Sequence, residues 1–499
     1  MTVHEQAAAL PLPTDERLTL WQKIGYGLGD IYGGGAGLLI STYYGVFLTD
    51  VVRIRPELAG TVILISKIYD SITDPFEGLL ADRTRTRLGR RRPYLLAGIL
   101  LVFLSFFMLF YPVTFSREAA RFAFVVTAYL FYSTVVSIVT LNYNALQSEL
   151  TLDYDERTRL SSFRIFFSTV SSLVCAVLPP EIVGMFPDVR TGYIVMALAF
   201  GAFFALPFIA TVIATRERPE FQKPPRPFDW REAFIEPFRM RAFLYVLGMY
   251  LFAFVAIDAV LNTVVFYMKN YLGRGDDANI VLGVLLIAQV ISLPFYTWLS
   301  RRTSKRVGYI TGAVLWMAVM LLSLLVAPGQ PAWVIFVLGA LIGVGTGGVV
   351  VMVYAIFPDI PDVDELRSGE RREGIYSALF TFMRKLASAL AVFAVLQVIG
   401  LAGYIPPLEV TIEGGTQLVE QPQTAGFVLA LRLIFALLPV VFAGLGLIFA
   451  LRYPLSHEVH QRLNEVLAAR RAGVPESEGL QAEAAGLEAV LFGGEKSRR

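Results

Sequence analysis

The sequence contains very little cysteine and histidine. Of its 499 residues one is a cysteine, Cys175, and the three histidines His4, His457 and His460 lie near the two ends. A single cysteine excludes an intramolecular disulfide framework, and neither a cysteine-based zinc site nor a buried histidine-rich metal site is expected. The formal net charge is only +2, which gives no electrostatic basis for binding nucleic acid.

Charged residues are also scarce. They make up 17% of the chain, against 55% hydrophobic residues, whereas an ordinary soluble domain has about 25% and roughly 45–50% respectively. The mean hydropathy is +0.59. These values exclude a typical soluble protein and a disordered one. The first 20 residues include Pro11, Pro13 and Asp15 and lack the basic and apolar regions of a cleavable signal peptide.

What the sequence has instead is a series of long apolar runs. A helix that crosses a bilayer needs about 20 such residues. The uncharged run 307–358 is long enough for two crossings, and Pro328-Gly329-Gln330-Pro331 divides it. We predict an all-α membrane protein with twelve spans, at residues 24–50, 58–81, 93–113, 121–148, 162–182, 191–214, 242–269, 278–300, 307–327, 332–357, 375–403 and 425–451.

Basic residues are concentrated in alternate loops, those after spans 2, 4, 6, 8 and 10. Because cytoplasmic loops carry the excess of Lys and Arg, this pattern places both termini in the cytoplasm. The predicted organisation is an N-terminal segment, two six-helix halves joined by a linker, and a C-terminal tail, at residues 1–20, 21–214, 215–240, 241–453 and 454–499.

Two of these basic loops resemble each other. Residues 83–89 read Arg-Thr-Arg-Thr-Arg-Leu-Gly, and residues 302–308 read Arg-Thr-Ser-Lys-Arg-Val-Gly. They follow spans 2 and 8, which are equivalent places in two halves of the same orientation. A parallel repeat of six spans is the plan of major facilitator transporters. The alternative is two unrelated loops that each obey the charge rule.

Span 2 carries several charges at membrane depth. At about 100° per residue, Lys67, Asp70, Asp74 and Glu77 fall on one stripe of the helix. Carboxylates one turn apart cannot both stay ionised in a low dielectric unless a proton, a sodium ion or a basic group compensates them. The pattern predicts a cation site at Asp70 and Asp74. The alternative is a static Lys67–Asp70 ion pair.

Further polar residues lie inside apolar spans and are candidates for holding a solute between the halves. Asp258 is the one charge between residues 242 and 268, so we expect it to face a central cavity, where it either binds substrate or pairs with a base such as Lys385. The candidate set is Asp30, Tyr43, Asn142, Asn144, Arg164, Asp258, Asn262, Thr381 and Lys385.

The sequence resembles the glycoside–pentoside–hexuronide:cation symporter family over residues 22–470. The resemblance rests on Tyr69-Asp70-Ser71-Ile72-Thr73-Asp74-Pro75, the basic run from Asp82 to Pro93, and Tyr376 to Lys385 in span 11. It implies a sodium or proton site formed by Asp70, Asp74, Thr73 and Ser137. The residues expected to act in gating are Lys67, Gly78, Asp82, Arg83, Arg85, Gly89, Arg90, Glu149 and Arg157.

The family's sugar site transfers poorly. Where that site has an Asp on span 1 and an Asp and a Trp on span 4, this sequence has Gly34, Thr140 and Asn144. The five tryptophans all lie outside spans 1 and 4, so galactoside transport is not supported. Sodium-dependent lysophosphatidylcholine symporters resemble the same family, and the less polar cavity keeps an amphipathic lipid open as a substrate.

The sequence therefore predicts a monomeric, multi-pass transporter of the cell membrane, or of the inner membrane in a Gram-negative cell. We expect cation-coupled symport of a small polar solute, a sugar or glycoside, with a lysophospholipid or another amphiphile as the alternative. Membrane lipid is the expected surrounding partner, and no cofactor beyond the coupling ion is expected. An enzyme is disfavoured because no histidine lies in a span. Residues 473–499 are predicted to be disordered.

Overall fold

The computed structural model describes residues 18–84, 86–150, 154–217, 235–357, 359–368, 373–412, 415–454, 457–471 and 478–493. Most of these residues are helical. The α-helices are α1 (Leu20–Leu28), α2 (Asp30–Leu39), α3 (Pro56–Arg83), α4 (Arg92–Leu109), α5 (Glu118–Leu150), α6 (Tyr154–Gly184), α7 (Val189–Ala205), α8 (Pro207–Ala214), α9 (Arg241–Phe266), α10 (Ala278–Arg302), α11 (Lys305–Leu322), α12 (Ala332–Ile356), α13 (Asp359–Ser368), α14 (Glu373–Leu401), α15 (Ala425–Arg452), α16 (His457–Arg471) and α17 (Glu478–Glu488).

Shorter elements join these helices. One- and two-turn segments with 3₁₀ or π geometry occur at Ile40–Tyr44, Phe47–Val51, Pro237–Arg239, Tyr267–Tyr271, Gly275–Asp277, Ser323–Leu325 and Ala489–Gly493. A small antiparallel hairpin is formed by β1 (Leu408–Ile412) and β2 (Gly415–Val419). It lies between predicted spans 11 and 12.

Ten helices of the described residues are long and apolar enough to cross a membrane. They correspond to predicted spans 3 to 12, so the prediction of a helical membrane protein is confirmed. The first two predicted spans are helical as well. Span 1 is divided into α1, α2 and two π-helical segments, and α3, which is span 2, carries Lys67, Asp70, Asp74 and Glu77. Interruptions and charges lower the apparent apolar length of these two spans.

The first compact unit comprises described residues within Met1–Ile40, Ile68–Pro225 and Val410–Gln417. Inside it, α1 and α2 pack on α6, and α4 packs on α5 and α7. A glycine permits the closest of these approaches. A Cβ atom added to Gly34 would lie 2.1 Å from Ser168 Oγ and 2.6 Å from the Ser168 carbonyl oxygen. Small residues let membrane helices come this close.

The second compact unit comprises described residues within Ser41–Lys67, Arg226–Glu409 and Leu418–Arg499. It includes the later part of span 1 and the beginning of α3. Its main helix pairs are α10 with α12, α9 with α15, and α11 with α12. A Cβ added to Gly343 of α12 would lie 2.1 Å from the Leu285 carbonyl oxygen of α10, so this contact also requires a glycine.

The C-terminal tail corrects one prediction. Residues 478–493, which were predicted to be disordered, form α17 and a π-helical turn. Their Leu487 and Leu491 are buried, as are Leu463 and Val466 of α16. Because both helices have apolar faces that protein covers, the segment packs in the second unit, with α16 and α17 against each other and against α13.

The two repeated basic loops fold differently. In the first loop, Thr86 and Gly89 close a turn in which Gly89 has a φ of +106°, and α4 begins three residues later. In the second loop, Ser304 caps α11 by accepting a hydrogen bond from the Val307 N–H, and Gly308 lies within that helix. The left-handed backbone requires glycine at position 89, whereas Gly308 lies against Met352.

Glu217 caps the helix that follows the first loop. Its carboxylate accepts hydrogen bonds from the backbone N–H groups of Arg90, Arg91 and Arg92, the last two at 2.7 and 2.8 Å. Three donors that the helix itself cannot satisfy are thereby paired with a negative charge. We expect Glu217→Ala to lower the free energy of unfolding by about 1–2 kcal/mol.

The check on this prediction is the melting temperature of the purified variant in detergent, with Glu217→Gln beside it. Glutamine keeps an oxygen acceptor without the charge, so its loss should be smaller than that of alanine. Equal melting temperatures for Glu217→Ala and the unchanged protein would show that the cap contributes nothing.

Candidate functional site

Asp70 is a fully buried carboxylate on α3. It accepts a hydrogen bond from the hydroxyl of Ser133 on α5. Ser137, the α5 residue predicted for the cation site, lies one turn further along and is also buried. Sequence reasoning missed Ser133, although its i, i+4 spacing from Ser137 was the signal that could have identified it.

The helix around Asp70 adds hydroxyl groups. The Thr73 hydroxyl donates to the Tyr69 carbonyl oxygen at 3.2 Å, and the Tyr69 and Thr134 hydroxyls lie 3.0 Å apart. Asp74 is half-buried on the same helix. Among the described residues no three Asp, Glu, His or Cys side chains are grouped to hold a metal ion. A cation here would therefore have to combine carboxylates with hydroxyl or carbonyl oxygens, which are the ligands that hard ions prefer.

In the first unit, Asp30 of α2 pairs with Arg164 of α6. The Arg164 Nε lies 3.1 Å from Asp30 Oδ1, and the guanidinium carbon lies 5.3 Å from the centre of the Tyr143 ring. Tyr143 in turn stacks on Tyr26, with ring centres 4.6 Å apart. Both charged residues were predicted candidates, and the structure brings them together over an aromatic pair.

In the second unit, Asp258 of α9 pairs with Arg384 of α14. The two hydrogen bonds are parallel, from Nη1 at 2.7 Å and from Nη2 at 3.0 Å. The sequence had left open a pairing of Asp258 with Lys385, one position further on. One residue turns a helix by about 100°, and it is Arg384, which was not a candidate, that forms the pair. Asn262 donates to the backbone oxygen of Asp258 at 2.8 Å.

These two ion pairs occupy corresponding helices of the predicted repeat. Asp30 and Asp258 lie on spans 1 and 7, and Arg164 and Arg384 lie on spans 5 and 11. In each pair the aspartate side chain is the more buried partner, 10% and 3% exposed, and the arginine side chain is 27% and 24% exposed. Each unit thus presents a neutralised guanidinium beside an aromatic ring.

The remaining substrate candidates are dispersed. Asn142 is buried, donates to the Ile138 carbonyl oxygen at 2.9 Å and accepts from Arg91 at 3.4 Å. Tyr43 is buried in the second unit. Asn144 and Thr381 are exposed, and Lys385 is half-buried. The hydrogen bonds of Asn142 connect it to the loop after α3, which gives it a structural role in the first unit.

Of the predicted gating residues, Gly89 and Arg90 belong to the turn capped by Glu217, and Lys67 is half-buried on α3. Arg85 lies outside the described residues. Gly78 lies on α3, and the side chains of Asp82, Arg83, Glu149 and Arg157 lie outside the described part.

Glu156, beside Arg157, makes a well-defined contact in the first unit. It accepts from Lys23 Nζ at 2.8 Å and from the Leu18 N–H at 3.1 Å. Burial acts to raise the pKa of this carboxyl, but the bonds from Lys23 and Leu18 outweigh burial and lower its pKa below the ordinary value. The stabilisation is therefore present above the pKa of the unfolded state and is lost as pH falls through the lower folded-state pKa.

We expect the melting temperature to fall on acidification below about pH 5, and Glu156→Gln to remove part of that fall. The measurement is a series of thermal unfolding curves between neutral and acidic pH for both proteins. Parallel pH profiles would contradict the assignment of this contribution to Glu156.

A third charged cluster, the outer cluster, consists of Asp50, Lys269, Tyr404 and Glu420 of the second unit. Asp50 is buried and forms an ion pair with Lys269. The Tyr404 and Thr49 hydroxyls donate to the same carboxylate at 2.6 and 2.8 Å. Glu420 lies 2.8 Å from Lys269 and is half-exposed. The loop that carries the hairpin therefore contributes two members of this cluster.

Comparisons with known proteins identify a family and several similar sequences. The sequence profile of a family described as MFS/sugar transport protein matches residues 25–457. An uncharacterized symporter of Synechocystis is 28% identical, with 91% of this chain and 98% of that protein covered. A putative glycoside/cation symporter of Escherichia coli is 26% identical, with 92% and 97% covered.

The chain is also similar to two more distant proteins. A sodium-dependent lysophosphatidylcholine symporter of Danio rerio is 22% identical, with 90% of this chain and 88% of that protein covered. A solved bacterial homologue of the lysosomal transporter Spinster superposes with a TM-score of 0.61 at 12% identity, over 88% of this chain and 97% of that one. At that identity the superposition shows the fold alone.

Proposed function

Because the chain belongs to the MFS/sugar transport family, whose profile matches residues 25–457, we propose that it is a cation-coupled symporter for a sugar or glycoside. It is a multi-pass protein of the cell membrane. The complete topology that we propose has twelve spans with both termini in the cytoplasm, and the transporter acts as a monomer by alternating access. The relatives that are named as symporters support the coupled mode of transport.

The observation that carries the coupling is the burial of Asp70. A carboxylate at membrane depth costs at least ~2.5–3.5 kcal/mol, and this one is 0% exposed, with a serine hydroxyl as its hydrogen-bond donor. A sodium ion or a proton at Asp70 and Asp74, which lie one turn apart on α3, would lower this cost. Thr73, Ser133 and Ser137 would provide neighbouring hydroxyl oxygens.

Coupling then follows from linkage. If cation and solute both stabilise the same state, each raises the affinity of the protein for the other, typically by about 5–150-fold. The paired guanidinium group of Arg384 lies beside an aromatic ring and is the group that we assign to the solute.

A lysophospholipid is the second candidate solute. The sodium-dependent lysophosphatidylcholine symporter of Danio rerio covers 90% of this chain, and tryptophans are absent from predicted spans 1 and 4. The same cation site would serve either solute, so this alternative changes the substrate and leaves the coupling intact.

The test is uptake by proteoliposomes under an inward sodium or proton gradient. The proposal predicts that a neutral glycoside accumulates inside above its external concentration and that collapsing the gradient releases it. Accumulation of lysophosphatidylcholine alone would select the second candidate. Uptake that stops at equal concentrations under both gradients would contradict symport.

A further inference from the structure

Only one member of the Asp258–Arg384 pair, the arginine, has a substantial exposed surface. The carboxylate side chain is 3% exposed, whereas 24% of the arginine side chain is exposed. The two carboxylate oxygens hold Nη1 and Nη2, and a guanidinium carries five N–H donors in a rigid fork. A ligand reaching this pair meets the donor edge of Arg384, with the carboxylate behind it.

Aromatic side chains border this edge. The Arg384 guanidinium carbon lies 4.6 Å from the centre of the Phe254 ring. The centre of the Phe254 ring lies 6.0 Å from the centre of the Tyr354 ring and 4.8 Å from the centre of the Tyr250 ring. Tyr354 is 56% exposed, so part of this aromatic group can be reached by a ligand.

This combination suits a sugar ring. A pyranose has apolar C–H faces that pack on aromatic rings and hydroxyl oxygens at its edge that accept hydrogen bonds. Binding sites for small molecules generally combine apolar walls with a few placed polar groups in this way. The tryptophan platform that the sequence lacks on spans 1 and 4 has a counterpart here in the exposed Tyr354 and the half-buried Phe254, and the buried Tyr250 packs on Phe254.

The charge of the pair selects among sugars. Arg384 donates as a cation would, but Asp258 cancels its charge, so an incoming carboxylate gains little attraction from the guanidinium and is repelled by the buried aspartate. Neutral hydroxyl groups experience neither effect to the same degree. The pair therefore favours uncharged ligands over anionic ligands of the same shape.

We propose that Arg384, Phe254, Tyr250 and Tyr354 form a subsite for an uncharged sugar ring, and that Asp258 is the specificity-determining residue that excludes acidic sugars. The assignment rests on the proposed sugar solute and adds its charge class. Asp258 acts through Arg384 and is a positioning residue.

The experiment compares methyl β-glucoside with methyl β-glucuronide, which differ only at C6, a hydroxymethyl group in the first and a carboxylate in the second. Their dissociation constants are measured by calorimetry on the full chain in detergent, with and without sodium and at two pH values. The unchanged protein should bind the glucoside more tightly. Asp258→Asn should move the ratio of the two constants toward the glucuronide by about tenfold or more, because it leaves Arg384 charged and uncompensated.

Two further variants keep the proposal falsifiable if Asp258→Asn fails to fold. Arg384→Lys keeps the charge but loses the bidentate fork, so both ligands should weaken by about tenfold with little change in their ratio. The double variant D258N/R384Q removes both charges, and it should bind the glucoside more weakly without gaining the glucuronide.

The specificity role of Asp258 is overturned if folded Asp258→Asn has the same ratio of dissociation constants as the unsubstituted protein. It is also overturned if the unsubstituted protein binds neither methyl glycoside. The sodium arm separates this result from the proposed coupling. If Asp258→Asn shifts the ratio of the two dissociation constants but neither sodium nor pH changes them, the subsite is supported and symport is contradicted. If sodium or pH changes the dissociation constants but Asp258→Asn leaves their ratio unchanged, symport is supported and the subsite is contradicted.

Discussion

Replacing Asp70 with asparagine is expected to lower the affinity for the coupling cation by at least about 100-fold. The substitution removes the negative charge of a carboxylate that is 0% exposed while keeping its shape. Losing one partner of a buried charge interaction typically costs about 3–5 kcal/mol, which corresponds to that factor or more. The measurement is the cation-dependent rise in melting temperature, titrated with sodium at fixed pH and then with protons.

Two variants calibrate the result. Ser133→Ala removes the hydroxyl that donates to Asp70 and should reduce cation affinity by about tenfold, because a hydrogen bond to a charged group contributes about 1.5–3 kcal/mol. Glu57→Gln changes a carboxylate in the first turn of the same helix and should leave the cation affinity unaltered. If Asp70→Asn titrates like Glu57→Gln, Asp70 is not a cation ligand.

Replacing Asp50 with asparagine is expected to produce the largest loss of stability. Its side chain is 1% exposed and accepts from Lys269, Tyr404 and Thr49. Removing its charge leaves the Lys269 ammonium with a half-exposed partner, Glu420. We expect a loss of about 3–5 kcal/mol in the free energy of unfolding, or about 10 °C in melting temperature for a unit of this size.

Glu420→Gln is the matched control, because it removes the other carboxylate on the same lysine. That group is half-exposed, and surface ion pairs contribute about 0–1 kcal/mol. Both variants are compared by thermal unfolding in the same detergent. Equal losses for Asp50→Asn and Glu420→Gln would show that burial does not determine the contribution of this cluster.

The helices were predictable because their signal is strong. Uncharged runs such as 307–358 leave few alternatives in a membrane protein, and Pro328-Gly329-Gln330-Pro331 marks the turn between two spans. The tail was predicted less well. Residues 478–493 were predicted to be disordered, because their apolar face is stabilised only by packing against α16 and α13, which no local sequence pattern indicates.

The charged sites, too, were predictable from the sequence only in part. The stripe that contains Asp70 could be read from helical periodicity, because all of its members lie on one helix. Partners on other helices depend on packing. Arg384 and Lys385 are neighbours in sequence with the same charge, and only the rotation of α14 decides which of them meets Asp258. The outer cluster joins three distant parts of the chain and could not be found from spacing.

The most direct test of cation-coupled transport is the reciprocity of binding. Purified protein in detergent is titrated with methyl β-glucoside at zero and at saturating sodium, and again at two pH values. Lysophosphatidylcholine is titrated in parallel against detergent controls. We predict that sodium or a proton tightens solute binding by about 5–150-fold and that the solute tightens cation binding by the same factor. Solute affinities that do not change with sodium or pH would contradict coupling at Asp70 and Asp74.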